Sequence, residues 1–577
     1  MNFYRMTQRP VFKKIYDYFD MSGMLCQTDF PLFSYLKPNL VGEALKQVQE
    51  MELLTRNHPS VVVETFCNET LDKTCWGHEQ YNLSRRELEK FFTAGKEVIE
   101  IFNPDRVVKF NEGDYAPILE TTGISDFHCY TYWYISHGME AGRLNKGYLP
   151  PIRKDWMTGC GEYGADGLDS LELMRKYCPE SWYPKTDTEP WSPVKIAAEQ
   201  CYVLHGGFFP EQETAPEWIK ASRDWQVYAT KELTYSLRRR ADYIESTAIH
   251  LLIDCWPCGW TKTLVDVDRI PKPAYYTYKE TLIPLRVNLR RDRYTVYSGE
   301  ELLTEVYALN DYSFDHDFDV QINVLANGKL VQTNKKTAIA KGVSSTYLGD
   351  VLYKIPDDFV GTIEVITKAK GTETTYDKVE YRVLPRIEKS KVTPLVYGDS
   401  VQDILKVCGG EIDKNTVITD VAYFTDHQEE LEKFAYDGGR LFVFTNRPLN
   451  ILGKDVIFKI NTLPEEVGAN VWINRSETHK FTKEFDVMDF NNFYNAENDY
   501  QDLTNWFKFD WEDSEEILYT YEFTGEEQYN LHKKHKMVMA EKKYGKGKVF
   551  LSTLSCIKGF IGYNPILDKF ITNIIND

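Results

Sequence analysis

The sequence predicts a multidomain protein in which two α/β segments flank a segment made of β-strands. The chain has 577 residues, too many for one hydrophobic core, so two to four domains are expected. Apolar runs alternate with helical stretches over residues 1–285 and again over 388–577, whereas residues 286–387 alternate apolar and polar side chains with period two. These observations predict three domains with those boundaries.

The first predicted domain contains apolar runs typical of buried parallel strands. Strands are expected near residues 1–5, 24–29, 61–68, 106–111, 126–132, 157–163 and 248–256. The intervening stretches have helical periodicity, and one of them opens with Ser84 and Glu87 at the spacing of a capping box. Strands and helices in this order predict βα units, which we interpret as parts of a β/α barrel.

The second and third predicted domains differ in periodicity. Residues 286–387 include segments such as "FDVQINVLANGKL", and Asn327-Gly328 is a hairpin signal. They predict an antiparallel β-sandwich of immunoglobulin-like type. From residue 388 onward, "TPLVYGDS", "NTVITDVAYF" and "YGKGKVFLSTLS" predict a smaller open α/β sheet closed by a C-terminal helix.

The net charge of −19 excludes several partners. Nucleic acid requires a basic surface, and anionic membrane surfaces repel an acidic protein, so neither is expected as a partner. The sequence contains no run of about 18 apolar residues that would span a bilayer. The first ten residues lack the pattern of a secretion signal, and the cellular location stays open.

Two glutamates end predicted barrel strands. Glu69 closes "VVVETFCNE", and Glu162 lies in "WMTGCGEYGADG". The carboxyl ends of the strands are where chemistry occurs in a β/α barrel, and hydrolysis of a glycosidic bond uses two carboxyl groups that flank the anomeric carbon. Asn68, next to Glu69, is suited to donate to a sugar 2-hydroxyl. Each glutamate considered alone is equally compatible with an ordinary carboxylate at a strand end.

Several segments, in order, resemble glycoside hydrolase family 2, which includes β-galactosidases, β-glucuronidases and β-mannosidases. They are "VFKKIYDYFDMSGMLCQTDFPLF", "RNHPSVVVETFCNET", "DFHCYTYWY", "GEYGADG" and "LLIDCWPCGW". The resemblance covers residues 1–285 and implies a (β/α)8 TIM barrel. The middle domain resembles the β-sandwich that follows this barrel in many members, and the last domain resembles flavodoxin-like or amidotransferase-like modules appended to some glycosidases.

The resemblance implies that Glu69 is the acid/base and Glu162 the nucleophile. It also implies that six residues bind substrate: Asn68, Tyr130, His128, Trp256, Asp29 and Arg5. Tyr130 would hydrogen-bond the nucleophile or lie beside it, and Trp256 would form the aromatic floor of the glycone subsite. His128 is equally compatible with a structural role. The implied mechanism needs no metal and no organic cofactor.

The sequence departs from the family at its N-terminus, because "MNFYR" matches the end of the second barrel strand. The first strand and two preceding β-sandwich domains have no counterpart. We therefore expect a TIM barrel that lacks its first strand and is open between residues 1–5 and 248–256. The expected partner for this opening is the missing N-terminal segment or another copy of the chain.

The function predicted first is an exo-acting retaining β-glycosidase that releases a terminal sugar from a β-linked oligosaccharide or glycoside. "EYGADG" favours galactosidases and glucuronidases, whereas "DCWP" favours mannosidases. We prefer β-galactosidase, and β-glucuronidase and β-mannosidase stay open. The alternative is a non-catalytic carbohydrate-binding or assembly fragment. An amidotransferase activity of the last domain is disfavoured, because no G-x-C-x-G nucleophile motif is present.

Overall fold

Most of the chain is described by a computed structural model. The described residues are 1–70, 83–113, 124–130, 132, 144, 156–196, 209–257, 261–456, 473–491, 508–524, 532–554 and 557–577. Sheets with accompanying helices lie towards both ends of the chain and antiparallel sheets lie between, so the predicted combination of α/β and β parts is confirmed. None of the helices in these ranges is long and apolar enough to cross a membrane.

Seven parallel strands in the N-terminal part form two sheets. They are β1 (Phe3–Met6), β2 (Leu25–Asp29), β3 (Val61–Asn68), β4 (Val107–Glu112), β5 (Ile124–Cys129), β6 (Met157–Tyr163) and β7 (Ile244–Ile249). Strands β1 to β4 pair in chain order in one sheet, and β5 to β7 pair in the other. Because every pair is parallel, the carboxyl ends of paired strands lie at the same edge of each sheet.

Helices accompany these strands. They are α1 (Lys13–Ser22), α2 (Val41–Thr55), α3 (Arg85–Phe102), α4 (Leu171–Tyr177), α5 (Ala215–Arg238) and α6 (Pro273–Thr281), with short 3₁₀ turns at Pro38–Leu40 and Pro193–Lys195. Helix α3 begins with the predicted capping box, in which the Ser84 N–H donates to Glu87 Oε2 at 2.8 Å. Gly95 lets α3 approach β3, since a Cβ there would lie 2.9 Å from Phe66 Cζ.

The middle part is made of two antiparallel sheets that share one core. Its strands are β8 (Leu285–Arg290), β9 (Thr295–Tyr297), β10 (Glu301–Asn310), β11 (His316–Ala326), β12 (Lys329–Ala340), β13 (Ser344–Lys354), β14 (Gly361–Lys370) and β15 (Thr374–Leu384). The strand orders are β13-β10-β8 and β12-β11-β14-β15-β9, and β9 pairs parallel to β15. The predicted hairpin at Asn327-Gly328 is confirmed, and both residues have the positive φ, 46° and 74°, that a type I′ turn requires.

The C-terminal part is built on a seven-stranded mixed sheet. Its elements are β16 (Val392–Tyr397), β17 (Glu411–Asp420), α7 (Val421–Asp426), α8 (Gln428–Tyr436), β18 (Arg440–Phe444), β19 (Leu449–Ile451), β20 (Lys454–Val456), β21 (Asn474–Arg475), β22 (Glu515–Thr524), β23 (His532–Tyr544), β24 (Gly547–Ser552), α9 (Ile557–Phe560) and α10 (Pro565–Ile575). The order of the sheet is β16-β17-β18-β24-β23-β22-β21. One core involves α10 and the 3₁₀ segment Asp399–Val407, and a second involves α7 and α8.

A groove separates β1 from β7. No backbone ladder joins these two strands, both of which lie within the described residues. The groove encloses a cavity of about 470 Å³, and its lining includes Phe3, Arg5, Ile249, His250 and Trp256. The N-terminal strands therefore do not close on themselves by backbone hydrogen bonds at this position.

Candidate active site

Polar side chains collect at the carboxyl ends of the N-terminal strands. Asp29, Asn68 and Glu112 end β2, β3 and β4, Glu69 follows β3, His128 and Tyr130 lie at the end of β5, Glu162 is near the end of β6, and His250 follows β7. Of these eight, only the Glu69 side chain is substantially accessible, at 26%. The parallel pairing of the strands brings these residues to one end of the sheets.

Tyr130 connects Glu69 with Glu162. Its hydroxyl donates to Glu162 Oε2 at 2.6 Å and lies 3.1 Å from Glu69 Oε1 and 2.9 Å from His128 Nδ1. His128 Nδ1 is also 3.2 Å from Glu69 Oε1. One oxygen of each glutamate and a ring nitrogen of His128 lie within 4.8 Å of one another. The two carboxyl groups therefore face the same small volume.

Arg5 holds the other side of this volume. Its guanidinium donates to Asp29 Oδ2 at 2.7 and 2.9 Å, to Asn68 Oδ1 at 2.6 Å, and to Glu162 Oε1 at 3.1 Å. A further bond of 3.1 Å reaches the carbonyl of Gly161. The planar fork of arginine suits such multiple acceptors, so one side chain from β1 fixes groups from β2, β3 and β6.

Glu162 is held as a carboxylate by its surroundings. Burial alone would raise the pKa of Glu162, but electrostatic interactions with His128, His250 and Arg5, together with the hydrogen bond from Tyr130, outweigh burial and lower the pKa to about 2. Arg5 and Tyr130 occupy Oε1 and Oε2, one each. An ionised carboxylate at neutral pH is the form that can act as a nucleophile.

The two histidines beside Glu162 have pKa values shifted in opposite directions. Burial would lower the pKa of His128, but the carboxylates of Glu162 and Glu69 outweigh burial and raise it. Burial lowers the pKa of His250 to about 4, although its Nε2 lies 3.4 Å from Glu162 Oε2. His250 is consequently neutral at pH 7, whereas His128 takes up a proton at a higher pH than an ordinary histidine.

Glu69 has an unusual backbone conformation. Its φ is +49°, in the left-handed region that non-glycine residues seldom adopt. Its N–H donates to the Glu112 carbonyl at 2.8 Å, and the neighbouring Asn68 carbonyl accepts from the Ser34 N–H at 2.9 Å. These bonds hold the turn that directs the Glu69 side chain away from β3. Strained positions of this kind occur at functional sites.

A buried layer of charged groups supports the site from below. Lys109 Nζ lies 2.9 Å from both Glu112 Oε1 and Asp126 Oδ2, and Gln27 Nε2 donates to Asp29 Oδ1 at 2.9 Å and also to Glu112. Burial raises the pKa of Asp126, with a further increase from Glu112. For Glu112, the cations Arg5 and Lys109 outweigh burial and hold the pKa far below its usual range.

Trp256 and Asp254 lie on the wall of the groove rather than in the bonded cluster. Trp256 is 55% exposed, and Asp254 is 5% exposed with its Oδ2 accepting from Thr263 Oγ1 at 2.8 Å. Burial raises the pKa of Asp254 to about 6, despite the opposing effects of Lys272 and the Thr263 hydrogen bond. The end of the quoted "LLIDCWPCGW" segment, residues 258–260, lies outside the described residues.

The spacing of Glu69, His128 and Glu162 is short enough for one metal ion to be shared. However, Arg5 and Tyr130 already donate to the two Glu162 oxygens, and Tyr130 is within hydrogen-bond distance of His128 Nδ1. The atoms that could bind a metal ion are therefore already engaged in hydrogen bonds within the protein. This arrangement suits proton transfer and charge stabilisation on an organic substrate.

The structure brings together seven of the eight residues selected from the sequence and places Trp256 apart on the groove wall. Sequence reasoning missed four polar residues of the site region: Glu112, Asp126, His250 and Asp254. A signal for Glu112 was present, because Asn111-Glu112 ends a strand in the same way as Asn68-Glu69. His250 was assigned to a strand expected at 248–256, whereas β7 ends at Ile249.

Comparison with solved structures finds matches to several glycosidases. A β-D-mannosidase from Dictyoglomus thermophilum matches 69% of this chain and 48% of its own chain, with a TM-score of 0.50 and 18% identity. A β-glucuronidase from Parabacteroides merdae matches 68% of this chain and 46% of its own, with a TM-score of 0.36 and 13% identity. A family 2 β-galacturonidase from Eisenbergiella tayi matches 48% of this chain and 44% of its own, with a TM-score of 0.33 and 17% identity.

The match with the mannosidase shows a shared fold over about two thirds of this chain. The resemblance to glycoside hydrolase family 2 that the sequence predicts is therefore confirmed at the level of the fold. This chain spans about half the length of the mannosidase, at 48%. No protein-family model and no curated protein sequence matches the chain.

Proposed function

We propose that this protein is an exo-acting β-glycosidase that works by double displacement. A Glu162 oxygen attacks the anomeric carbon while the Glu69 carboxyl group gives its proton to the leaving oxygen, and a glycosyl ester forms on Glu162. Glu69, now a carboxylate, takes a proton from water, whose oxygen attacks the anomeric carbon and frees Glu162. The sugar then leaves with net retention of configuration.

One observation carries this proposal: Tyr130 joins two carboxyl groups whose oxygens lie within 4.8 Å. Retaining glycosidases hold their two carboxyl groups about 5–5.5 Å apart, whereas inverting enzymes leave roughly 6.5–9.5 Å for a water molecule. Glu162 is ionised as a nucleophile must be, and Glu69 is the more accessible carboxyl group. Both properties support the assignment of roles.

The remaining residues support binding of a pyranose ring. Asn68 Oδ1 accepts from Arg5, so the NH₂ of its amide is the group suited to donate to a sugar 2-hydroxyl. The exposed Trp256 ring offers an apolar face at the groove. We propose a β-linked oligosaccharide or glycoside as substrate and prefer β-galactosides, with β-glucuronides and β-mannosides as the alternatives to be compared in the same assay.

We also propose that β1 to β7 belong to a (β/α)8 TIM barrel that lacks its first strand. The groove between β1 and β7 supports this proposal, because both strands present to the same cavity an edge that has no ladder partner among the described residues. A segment of polypeptide N-terminal to β1, or another copy of the chain, is proposed to fill it. The proposed domains are 1–285, 286–387 and 388–577, the last being amidotransferase-like and non-catalytic.

Hydrolysis of a panel of aryl β-glycosides by variants of the two glutamates tests the activity. Glu162→Gln should lower kcat by at least about 10³-fold, because it removes the nucleophile. Glu69→Ala should spare the first step for substrates with acidic leaving groups, and azide should restore its turnover as a β-glycosyl azide. Glu52→Gln is the matched control, since Glu52 is buried like Glu162 but pairs with Arg106 at the amino ends of the strands.

The outcomes separate the alternatives. Loss of activity in Glu162→Gln together with azide rescue in Glu69→Ala supports the proposal. Sugar binding without hydrolysis of any glycoside favours a non-catalytic carbohydrate-binding subunit instead. Equal loss in Glu69→Ala for all leaving groups, with no azide product, contradicts the role of Glu69.

A further inference from the structure

The two N-terminal sheets meet at β4 and β5 without a backbone ladder between their described residues. A side chain spans this junction instead. Asp126, on β5, has no exposed surface, and its Oδ2 lies 2.9 Å from Lys109 Nζ on β4. Asp126 therefore links the two sheets beside the proposed catalytic groups.

The second oxygen of Asp126 joins the backbone of both sheets. Asp126 Oδ1 accepts from the Gly113 N–H and from the Gly161 N–H, each at 3.1 Å. Gly113 directly follows β4, and Gly161 lies within β6. One carboxyl oxygen of Asp126 thus accepts one N–H from the residue after β4 and another from within β6.

Each of these two glycines is connected to a proposed catalytic glutamate, Gly161 by a peptide bond and Gly113 through the backbone of Glu112. Gly161 directly precedes Glu162, and its carbonyl accepts from Arg5. Gly113 directly follows Glu112, whose carbonyl accepts from the Glu69 N–H at 2.8 Å. A displacement of either N–H from Asp126 Oδ1 is therefore transmitted along the backbone to Glu69 or Glu162.

The packing around Asp126 leaves little room for other arrangements. A Cβ on Gly161 would lie 3.0 Å from Asp126 Oδ1, and a Cβ on Gly159 would lie 2.5 Å from Asp126 Oδ2. A Cβ on Gly113 would lie 2.6 Å from the His128 ring, and the φ of Gly113 is +63°. Glycine at these positions allows the backbone to reach the carboxylate.

We propose that Asp126 is a positioning residue that sets the separation of Glu69 and Glu162. The catalytic consequence of this inference rests on the proposed function. The separation of the two carboxyl groups can be measured without any assay of activity. Asp126 contacts no substrate in this proposal and acts through Gly113, Gly161, Lys109 and the neighbouring Glu112 side chain.

The test compares Asp126→Ala and Asp126→Asn with Glu52→Gln, which breaks a buried ion pair at the opposite ends of the strands. Asn keeps one oxygen that can accept both N–H groups, whereas Ala keeps none. We expect Asp126→Ala to lower kcat by about 10²-fold with little change in KM, because a 1 Å misplacement of reacting groups has effects of that size. Asp126→Asn should recover most of the loss, and Glu52→Gln should retain activity while its Tm falls.

Two measurements do not depend on activity. Hydrogen exchange should accelerate at Gly113 and Gly161 in Asp126→Ala but not in Asp126→Asn or Glu52→Gln. Crystal structures should show the oxygens of Glu69 and Glu162 further apart in Asp126→Ala than in the wild type, where they lie within 4.8 Å of one another. If Asp126→Ala does not fold, Asp126→Leu, which is similar in size but has no acceptor, takes its place in the same comparison.

Unchanged separation and unchanged exchange at both glycines would overturn the inference. A loss of kcat in Glu52→Gln equal to that in Asp126→Ala would also overturn it, because the effect would then be one of general stability. If the wild-type protein hydrolyses no glycoside, the proposed function fails, and the exchange and crystallographic results still decide whether Asp126 sets the separation.

Discussion

Tyr130 donates a hydrogen bond of 2.6 Å to Glu162, and the same hydroxyl is 3.1 Å from Glu69. One phenol thereby contacts both carboxyl groups of the proposed catalytic pair. Because a hydrogen bond to the charged form lowers the pKa of a carboxyl group, Tyr130 helps to keep Glu162 ionised.

Replacement of Tyr130 by Phe should raise the pKa of Glu162 and lower kcat by roughly 10- to 100-fold, the equivalent of one hydrogen bond to a charged group. The acid limb of the pH–rate profile, measured with an activated aryl glycoside, should move to higher pH. Tyr16→Phe is the control, since the buried Tyr16 hydroxyl bonds to Thr28 and Val11 away from the glutamates. An unmoved acid limb in Tyr130→Phe would contradict this prediction.

Replacement of Arg5 by Met should destabilise the protein by about 3–5 kcal/mol, because Asp29, Glu112 and Glu162 would stay buried without their shared cation. Arg5 holds the pKa of Glu112 low, so its stabilising effect is present above about pH 4.5 and is lost as the pH falls. Urea unfolding at pH 4 and pH 7 measures the difference in free energy of unfolding between the wild type and Arg5→Met. This difference should be larger at pH 7.

Arg106→Met provides the matched control for that experiment. Arg106 is also buried and pairs with Glu52, but it lies at the amino ends of the strands. Both variants should lose stability, and only Arg5→Met should lose turnover beyond the loss that unfolding explains. Full activity in Arg5→Met would show that Arg5 is not needed for turnover and would contradict its assignment to the site.

Replacement of Asp254 by Asn should increase the free energy of unfolding relative to the wild type at pH 7 but not at pH 4. The folded-state pKa of Asp254 is raised by burial to about 6, so the contribution of this group to stability is complete below its ordinary pKa and is lost as the pH rises through 6. Asn resembles the protonated form and keeps that contribution at pH 7. The gain, measured by urea unfolding against the wild type, should be about 2–3 kcal/mol at pH 7 and near zero at pH 4.

The groove predicts unequal protection of strands within the same sheets. In a preparation of residues 1–577 that sedimentation shows to be monomeric, the amides of β1 and β7 should exchange faster than those of the central strands β2 and β6. Association of copies through the groove would slow exchange in β1 and β7 as concentration increases. Slow exchange in both strands of a dilute monomer would argue against an open barrel.

Local sequence patterns placed six of the seven N-terminal strands to within about three residues, because apolar runs and their polar ends are short-range features, but the strand expected at 248–256 lies instead at Ile244–Ile249. Asn68 and Glu69 could be singled out since both stand where a buried run stops. Asp126 and Lys109 could not, because their roles depend on neighbours from other strands, and a buried charge has no signature in a single sequence. His250 was missed for a related reason: β7 ends at Ile249, before the apolar run does.

The packing around Gly161 also limits which amino acids can replace it. A single methyl group there would lie 2.4 Å from Glu112 Oε2, closer than nonbonded atoms approach, and the carboxylate that would have to yield is fixed by Lys109, Gln27 and Arg5. In a library of random substitutions, position 161 should therefore tolerate no other amino acid, although its own side chain does no chemistry. Any mutation at this position would thus disturb the site, although the residue has no side chain that could contact a substrate.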